Sequence, residues 1–90
     1  MTESQIRNDV RSFVIQNFMF GQGDRLQDSE SFLESGLIDS TGVLELVGFL
    51  ETTYAIKVAD EDLVPANLDS VESVCRYVER KLQGASRRAG

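Results

Sequence analysis

The stretch "ESGLIDSTGVLELV", Glu34 to Val47, decides the reading of this chain. Gly36, two aliphatic residues and Asp39 lead into Ser40, and an apolar pattern of helical spacing begins beyond it. Leu46, Val47, Leu50 and Tyr54 fall on one face of a helix expected over about 40–54, with Asp39 or Ser40 as its cap. At 1.5 Å per residue such a helix is roughly 20 Å long. Gly42 and Gly48 lie inside it, and each costs about 1 kcal/mol against Ala. Small residues let another backbone approach closely, either a partner's loop or this protein's own long loop.

Ile6, Val10, Phe13, Val14 and Phe18 mark the inner face of an earlier helix, expected over about 3–20. Thr2 and Gln5 have the spacing of a capping box at its start, and Gly21 and Gly23 end it. Phe18, Met19 and Phe20 are too dense for one face, so at least one is half exposed or packed under the loop that follows. That loop, Gly21 to Gly36, shows no period, and Leu26 and Phe32 read as anchors pinning it to the core. A one-turn helix is expected at about 60–64, with Pro65 blocking its continuation. A last helix over about 70–82 buries Val71, Val74, Cys75, Val78 and Leu82. Asp69 and Glu72 have capping-box spacing at its start, although Asp takes the usual Ser/Thr place. Residues 1–84 then form one all-α domain, a small bundle of three main helices plus one short helix, and 85–90 form a flexible tail.

Ninety residues make one small domain, burying roughly 60–70% of the unfolded chain's surface. The net charge of −6 argues against a nucleic-acid binder, which needs clustered Lys and Arg, and favours partners with basic surfaces. One Cys and no His exclude a disulfide within the chain, a Ser–His or Cys–His catalytic pair and the usual zinc ligand sets. Cys75 reads as a small buried hydrophobe and Tyr54 and Tyr77 as core aromatics. The polar N-terminus is no signal peptide, and no apolar run approaches the ~20 residues of a membrane span, so a cytoplasmic location is expected. Arg76, Arg80 and Lys81 suit the negative end of the last helix, and Arg87 and Arg88 read as tail solubility.

Taken alone, "DS" before a helix is a common start signal, and it raises the question of why Ser40 stands exposed with no base to activate it. "GLIDS" followed by "VLELVGFLE", placed centrally in an acidic helical chain of this length, resembles the acyl carrier protein family, aminoacyl and peptidyl carriers included. The resemblance spans about Ile6 to Leu82 and includes the long first loop and the "NLDSVESVCRYV" opening of the last helix. It implies that Ser40, next to Asp39, carries a 4′-phosphopantetheine arm attached by a separate phosphopantetheinyl transferase. No internal base is then needed. The arm's thiol holds the cargo as a thioester, and the chain is a tether rather than an enzyme.

The resemblance also implies that the outer face of the second helix docks partner enzymes. Thr41, Leu44, Glu45, Gly48 and Glu51 lie on that face, and Asp60, Glu61 and Asp62 add charge on the short helix. The chain departs from the family pattern at Thr41, where Leu often follows the Ser. It departs again at Gly48, where a larger apolar residue is common, and at Thr52, near which a further acid often stands. The docking patch is smaller, with Leu44 at its centre. The pattern looks more like carriers of specialised pathways, loaded by a stand-alone acyl- or aminoacyl-adenylating ligase and read by downstream acyl-transfer or synthase enzymes. A monomer is expected. Polar or aminoacyl cargo gains little from burial, so no large open cavity is expected in the unmodified protein. The alternative is an unmodified acidic helical module that binds a basic partner. Against it stands the complete "GLIDS", since Thr, Asn or Asp would cap as well as Ser.

Overall fold

Thr2 and Gln5 do form the expected capping box. The Gln5 N–H donates to Thr2 Oγ1 at 3.2 Å, and the Thr2 N–H donates to Gln5 Oε1 at 3.1 Å. Helix α1 runs from there over Glu3–Phe18 and buries Ile6, Val10 and Val14 completely. The computed structural model describes residues 2–19 and 26–89, with side chains through residue 83. Helix α1 ends at Phe18, two residues short of the expected end, with Met19 as its cap, and Phe20, Gly21 and Gly23 lie outside the described residues. Phe18 and Met19 are half-buried against the core.

Helix α2 spans Ser40–Tyr54 and buries Leu46, Leu50 and Tyr54, with Val47 at the margin of the core. Phe49 stacks on Phe13 of α1 with centroids 4.3 Å apart. The Tyr54 hydroxyl donates to Asp9 at 3.0 Å. Ala55, at φ 55°, turns the chain into the left-handed conformation that commonly ends helices.

Two short elements follow where one was expected. A 3-10 helix covers Asp60–Asp62, and α3 covers Pro65–Leu68. The 3-10 helix ends before Pro65 as expected, and Pro65 itself stands in the first turn of α3, where its missing N–H has no partner to lose.

Helix α4 covers Val71–Ala89 and packs mainly on α1 and α3. Val71, Val74, Cys75, Tyr77 and Val78 are buried. The expected end at Leu82 and the expected tail are corrected, since the helix continues through Gly84. One Gly costs about 1 kcal/mol, and the Ala and Arg residues beyond it are good helix formers. Ser70 serves as the cap, accepting the Ser73 N–H at 3.1 Å. The expected Asp69–Glu72 box does not form, because the Asp69 carboxylate points across the molecule to the first loop.

Leu26 and Phe32 anchor that loop as expected, at 5% and 0% exposure. Burying a side chain such as Phe32 contributes about 1.5–3 kcal/mol. Polar bonds add to the anchoring. Arg11 donates to the Leu26 carbonyl at 3.0 Å and to Asp28 at 2.8 Å, and the Glu72 N–H donates to the Asp28 carbonyl at 2.8 Å. The described residues are all-helical apart from turns and loops, and no helix among them is long and apolar enough to cross a membrane.

Candidate functional site at the mouth of helix α2

Gly36 takes φ 75°, a conformation glycine adopts without strain, and turns the chain back toward the core. The N–H groups of Leu37 and Ile38 then both donate to the Phe32 carbonyl, at 3.0 and 3.2 Å. Ile38 is buried at 1% exposure, which fixes the chain two residues ahead of Ser40. Asp39 follows in an extended conformation, and its Oδ1 accepts the Gly42 N–H at 2.8 Å. Of the two candidate caps, Asp39 performs the task. Ser40 is the first residue of α2 and is exposed.

The two glycines of α2 have different surroundings. A Cβ on Gly42 would lie 2.7 Å from Ile38 Cγ2 and 2.9 Å from Phe18 Cε1, so Gly42 serves internal packing. A Cβ on Gly48 would meet nothing within 4 Å. The outer face is open there.

An apolar groove of about 230 Å³ opens beside Ser40. Val43 and Leu44 of α2, Leu63 and Val64 before α3, and Leu33 of the first loop form most of its lining. It is an open groove rather than a tunnel, and it lies below the roughly 300–1,000 Å³ of typical small-molecule pockets. Among the described residues the exposed large apolar side chains are Leu33, Leu44, Leu63 and Val64, and all four line it. Clustered exposed apolar surface of this kind marks interaction sites. Periodicity pointed to Leu44 alone. Leu33, Leu63 and Val64 stand in aperiodic segments, where an apolar residue without a helical face to bury is the only available signal.

The other expected docking residues separate into two groups. Thr41, Glu45, Asp60 and Glu61 are exposed. Glu51 is half-buried, and its carboxylate accepts the Val58 N–H at 3.0 Å, tying down the chain after α2. Asp62 is also engaged internally. Its carboxylate accepts the Tyr77 hydroxyl at 2.7 Å, and its carbonyl accepts the Asn67 side-chain amide at 3.0 Å. Glu51 and Asp62 thus each have internal partners in addition to their part-exposed surface. Burial pushes the Cys75 thiol pKa up, partly countered by Arg7.

Chemically, this arrangement presents a hydroxyl. No His exists to ionise it, and the neighbouring carboxylate is occupied as a cap. Among the described residues no group of His, Cys, Asp and Glu is placed to hold a metal ion.

No family profile matches the chain. Curated relatives and solved structures do. It is 32% identical over 84 residues to the acyl carrier protein of Akkermansia muciniphila, covering 93% of this chain and all of that one. It is 28% identical over 80 residues to "Probable acyl carrier protein PigG" of a Serratia species, covering 89% and 87% of the two chains. The fold matches the solution structure of a holo acyl carrier protein from Nitrosomonas europaea, with TM-score 0.73, 23% identity and coverage of 88% and 98%. A crystal structure of the acyl carrier protein from Thermotoga maritima aligns with TM-score 0.63, again at 23% identity, covering 89% and 94%. With the full length of the Akkermansia protein matched at that identity and the same helical fold recovered, this chain belongs to the acyl carrier protein family.

Proposed function

We propose that this carrier protein bears its 4′-phosphopantetheine arm on Ser40 and presents an acyl or aminoacyl thioester to partner enzymes. The supporting observation is the division of labour at the helix mouth. Asp39 caps α2, so the exposed Ser40 hydroxyl is left for modification at the rim of an apolar groove. A phosphodiester there also faces the positive end of the helix dipole. When attached, the arm supplies a terminal thiol on a long flexible tether. Asp39 holds the helix start, and Thr41, Leu44, Glu45 and Gly48 offer the open face of α2 for docking, extended by Asp60 and Glu61.

Loading by a stand-alone acyl- or aminoacyl-adenylating ligase is part of the proposal, as are a cytoplasmic location and a monomeric state. Gly42 is accounted for by internal packing, so Thr41 and Gly48 carry the ligase assignment. The groove suits a short apolar cargo end. A long chain would protrude from its 230 Å³.

The test is intact mass before and after incubation with coenzyme A and a broad-specificity phosphopantetheinyl transferase, with Ser40→Ala alongside. A gain of one phosphopantetheinyl group in the wild type, absent in the variant, is expected. No gain by folded, initially unmodified wild type would leave Ser40 as the first residue of α2 and nothing more, and the chain as an acidic interaction module.

A further inference from the structure

Asp69 has no part in the cap that its sequence position suggests. Its carboxylate leaves the α3–α4 junction and reaches the segment that leads to Ser40. Oδ1 accepts the Leu33 N–H at 3.0 Å, and Oδ2 accepts the Ser31 hydroxyl. Its backbone carbonyl accepts the Phe32 N–H at 2.7 Å. Three consecutive residues of the first loop are thus held by one residue of the opposite wall. The chain of bonds continues toward the site, since the Phe32 carbonyl accepts the N–H groups of Leu37 and Ile38. Ser31 also accepts the Glu34 N–H at 3.1 Å, closing the local turn. Leu33 and Asp69 both line the groove beside Ser40.

We propose that Asp69 is a positioning residue for the Ser40 site, latching segment 31–33 to the α3–α4 junction and so fixing the groove wall and the approach to α2. The inference rests on Ser40 being the modified residue. Phe32 would stay buried without the latch, since its ring is fully enclosed. What the latch adds is a single position for Leu33 and for the turn through Gly36. A transferase that recognises this rim binds only the latched conformer, and its apparent affinity falls in proportion to that conformer's population. The effect therefore belongs in KM.

The experiment measures phosphopantetheinyl transfer kinetics and backbone amide exchange for the full chain and for Asp69→Ala, Asp69→Asn and Ser31→Ala. The temperature is one at which every variant is more than nine-tenths folded. Asp69→Ala is expected to raise KM about tenfold with kcat within about twofold, and to speed exchange at the Leu33 amide about tenfold or more. Ser31→Ala, which leaves the Leu33 bond in place, is expected to give a smaller rise of about threefold. Asn keeps an acceptor for the Leu33 N–H and is expected to recover most of the loss. A folded Asp69→Ala with wild-type KM overturns the proposal, as does unchanged exchange at Leu33. If Asn fails to recover what Ala loses, the hydrogen-bond account is overturned too. Wild type that takes no arm at all overturns the Ser40 assignment and the positioning role with it. Wild type modified no faster than Asp69→Ala overturns the latch alone.

Discussion

The same substitution at two positions of one helix is expected to stabilise at one and to leave stability unchanged or lower it at the other. Replacing a helical Gly with Ala ordinarily stabilises by about 1 kcal/mol, because it removes backbone freedom from the unfolded chain. At Gly48 nothing lies within 4 Å of the new methyl, so the full gain is expected. At Gly42 the methyl would stand 2.7 Å from Ile38 Cγ2 and 2.9 Å from Phe18 Cε1. Phe18 is half-buried and its ring can turn aside. Ile38 cannot yield so easily, because it is buried, β-branched and held through its N–H to the Phe32 carbonyl. Overpacking of this kind costs about 1–3 kcal/mol, which equals or outweighs the propensity gain. The two variants should therefore differ by about 1–3 kcal/mol. For a domain of this size that separates their unfolding midpoints by roughly 4–24 °C. Thermal unfolding of wild type, Gly42→Ala and Gly48→Ala checks the argument. Equal stabilisation by both would refute the packing account of Gly42. Gly48→Ala carries a second reading. If a partner's backbone approaches α2 there, the variant is more stable yet docks more weakly.

Asp39→Ala should lower stability by about 1 kcal/mol, a fall of roughly 4–8 °C in midpoint, while Asp39→Asn should stay within a few tenths of a kcal/mol. Thermal unfolding of the pair separates capping from charge. The chain has two tyrosines and both are buried. Burial and the acceptors Asp9 and Asp62 push the pKa of each hydroxyl above the ordinary value of 10. A raised folded pKa means the stability from these groups is fully present below pH 10 and is lost as pH rises through the folded pKa. Ultraviolet titration should show no tyrosinate near pH 10 in the folded protein and a steep alkaline unfolding above it. Half of the tyrosine signal titrating normally at pH 10 would contradict the burial of one of them.

The inner faces of α1, α2 and α4 were legible in the sequence because apolar side chains buried by a helix must recur at its period. The Thr2 box and the anchoring of the first loop by Leu26 and Phe32 were legible for local reasons, a fixed spacing and a lone aromatic in a polar run. What escaped was set by contacts between distant segments. Asp69 has capping-box spacing, but Ser70 caps and the carboxylate finds Ser31 and the Leu33 N–H, 38 and 36 residues away in sequence. Glu51 reads as one more exposed acid until the chain after α2 folds back and donates the Val58 N–H to it. Pro65 signals a boundary without saying which side the helix is on. The groove shares this character, because Leu33, Leu44 and the Leu63–Val64 pair belong to three separate stretches.

The order Asp39–Ser40 answers the question of why a serine should stand exposed at a helix mouth with no base beside it. Were Ser40 the cap, its oxygen would be committed to a backbone N–H, and esterifying it would put at risk about 1 kcal/mol of helix stability. With the Gly42 N–H assigned to Asp39, the Ser40 oxygen has no structural duty that modification would remove. The neighbouring acid then has two consequences from one bond. It secures the first turn of α2, and its Oδ1 is engaged by the Gly42 amide rather than by Ser40. The proposed modification then relies on an incoming transferase to ionise Ser40, since the chain has no His to do so. On the proposed role, the cap keeps α2 equally well formed before and after the arm is attached, and partners that read α2 meet the same surface in both forms.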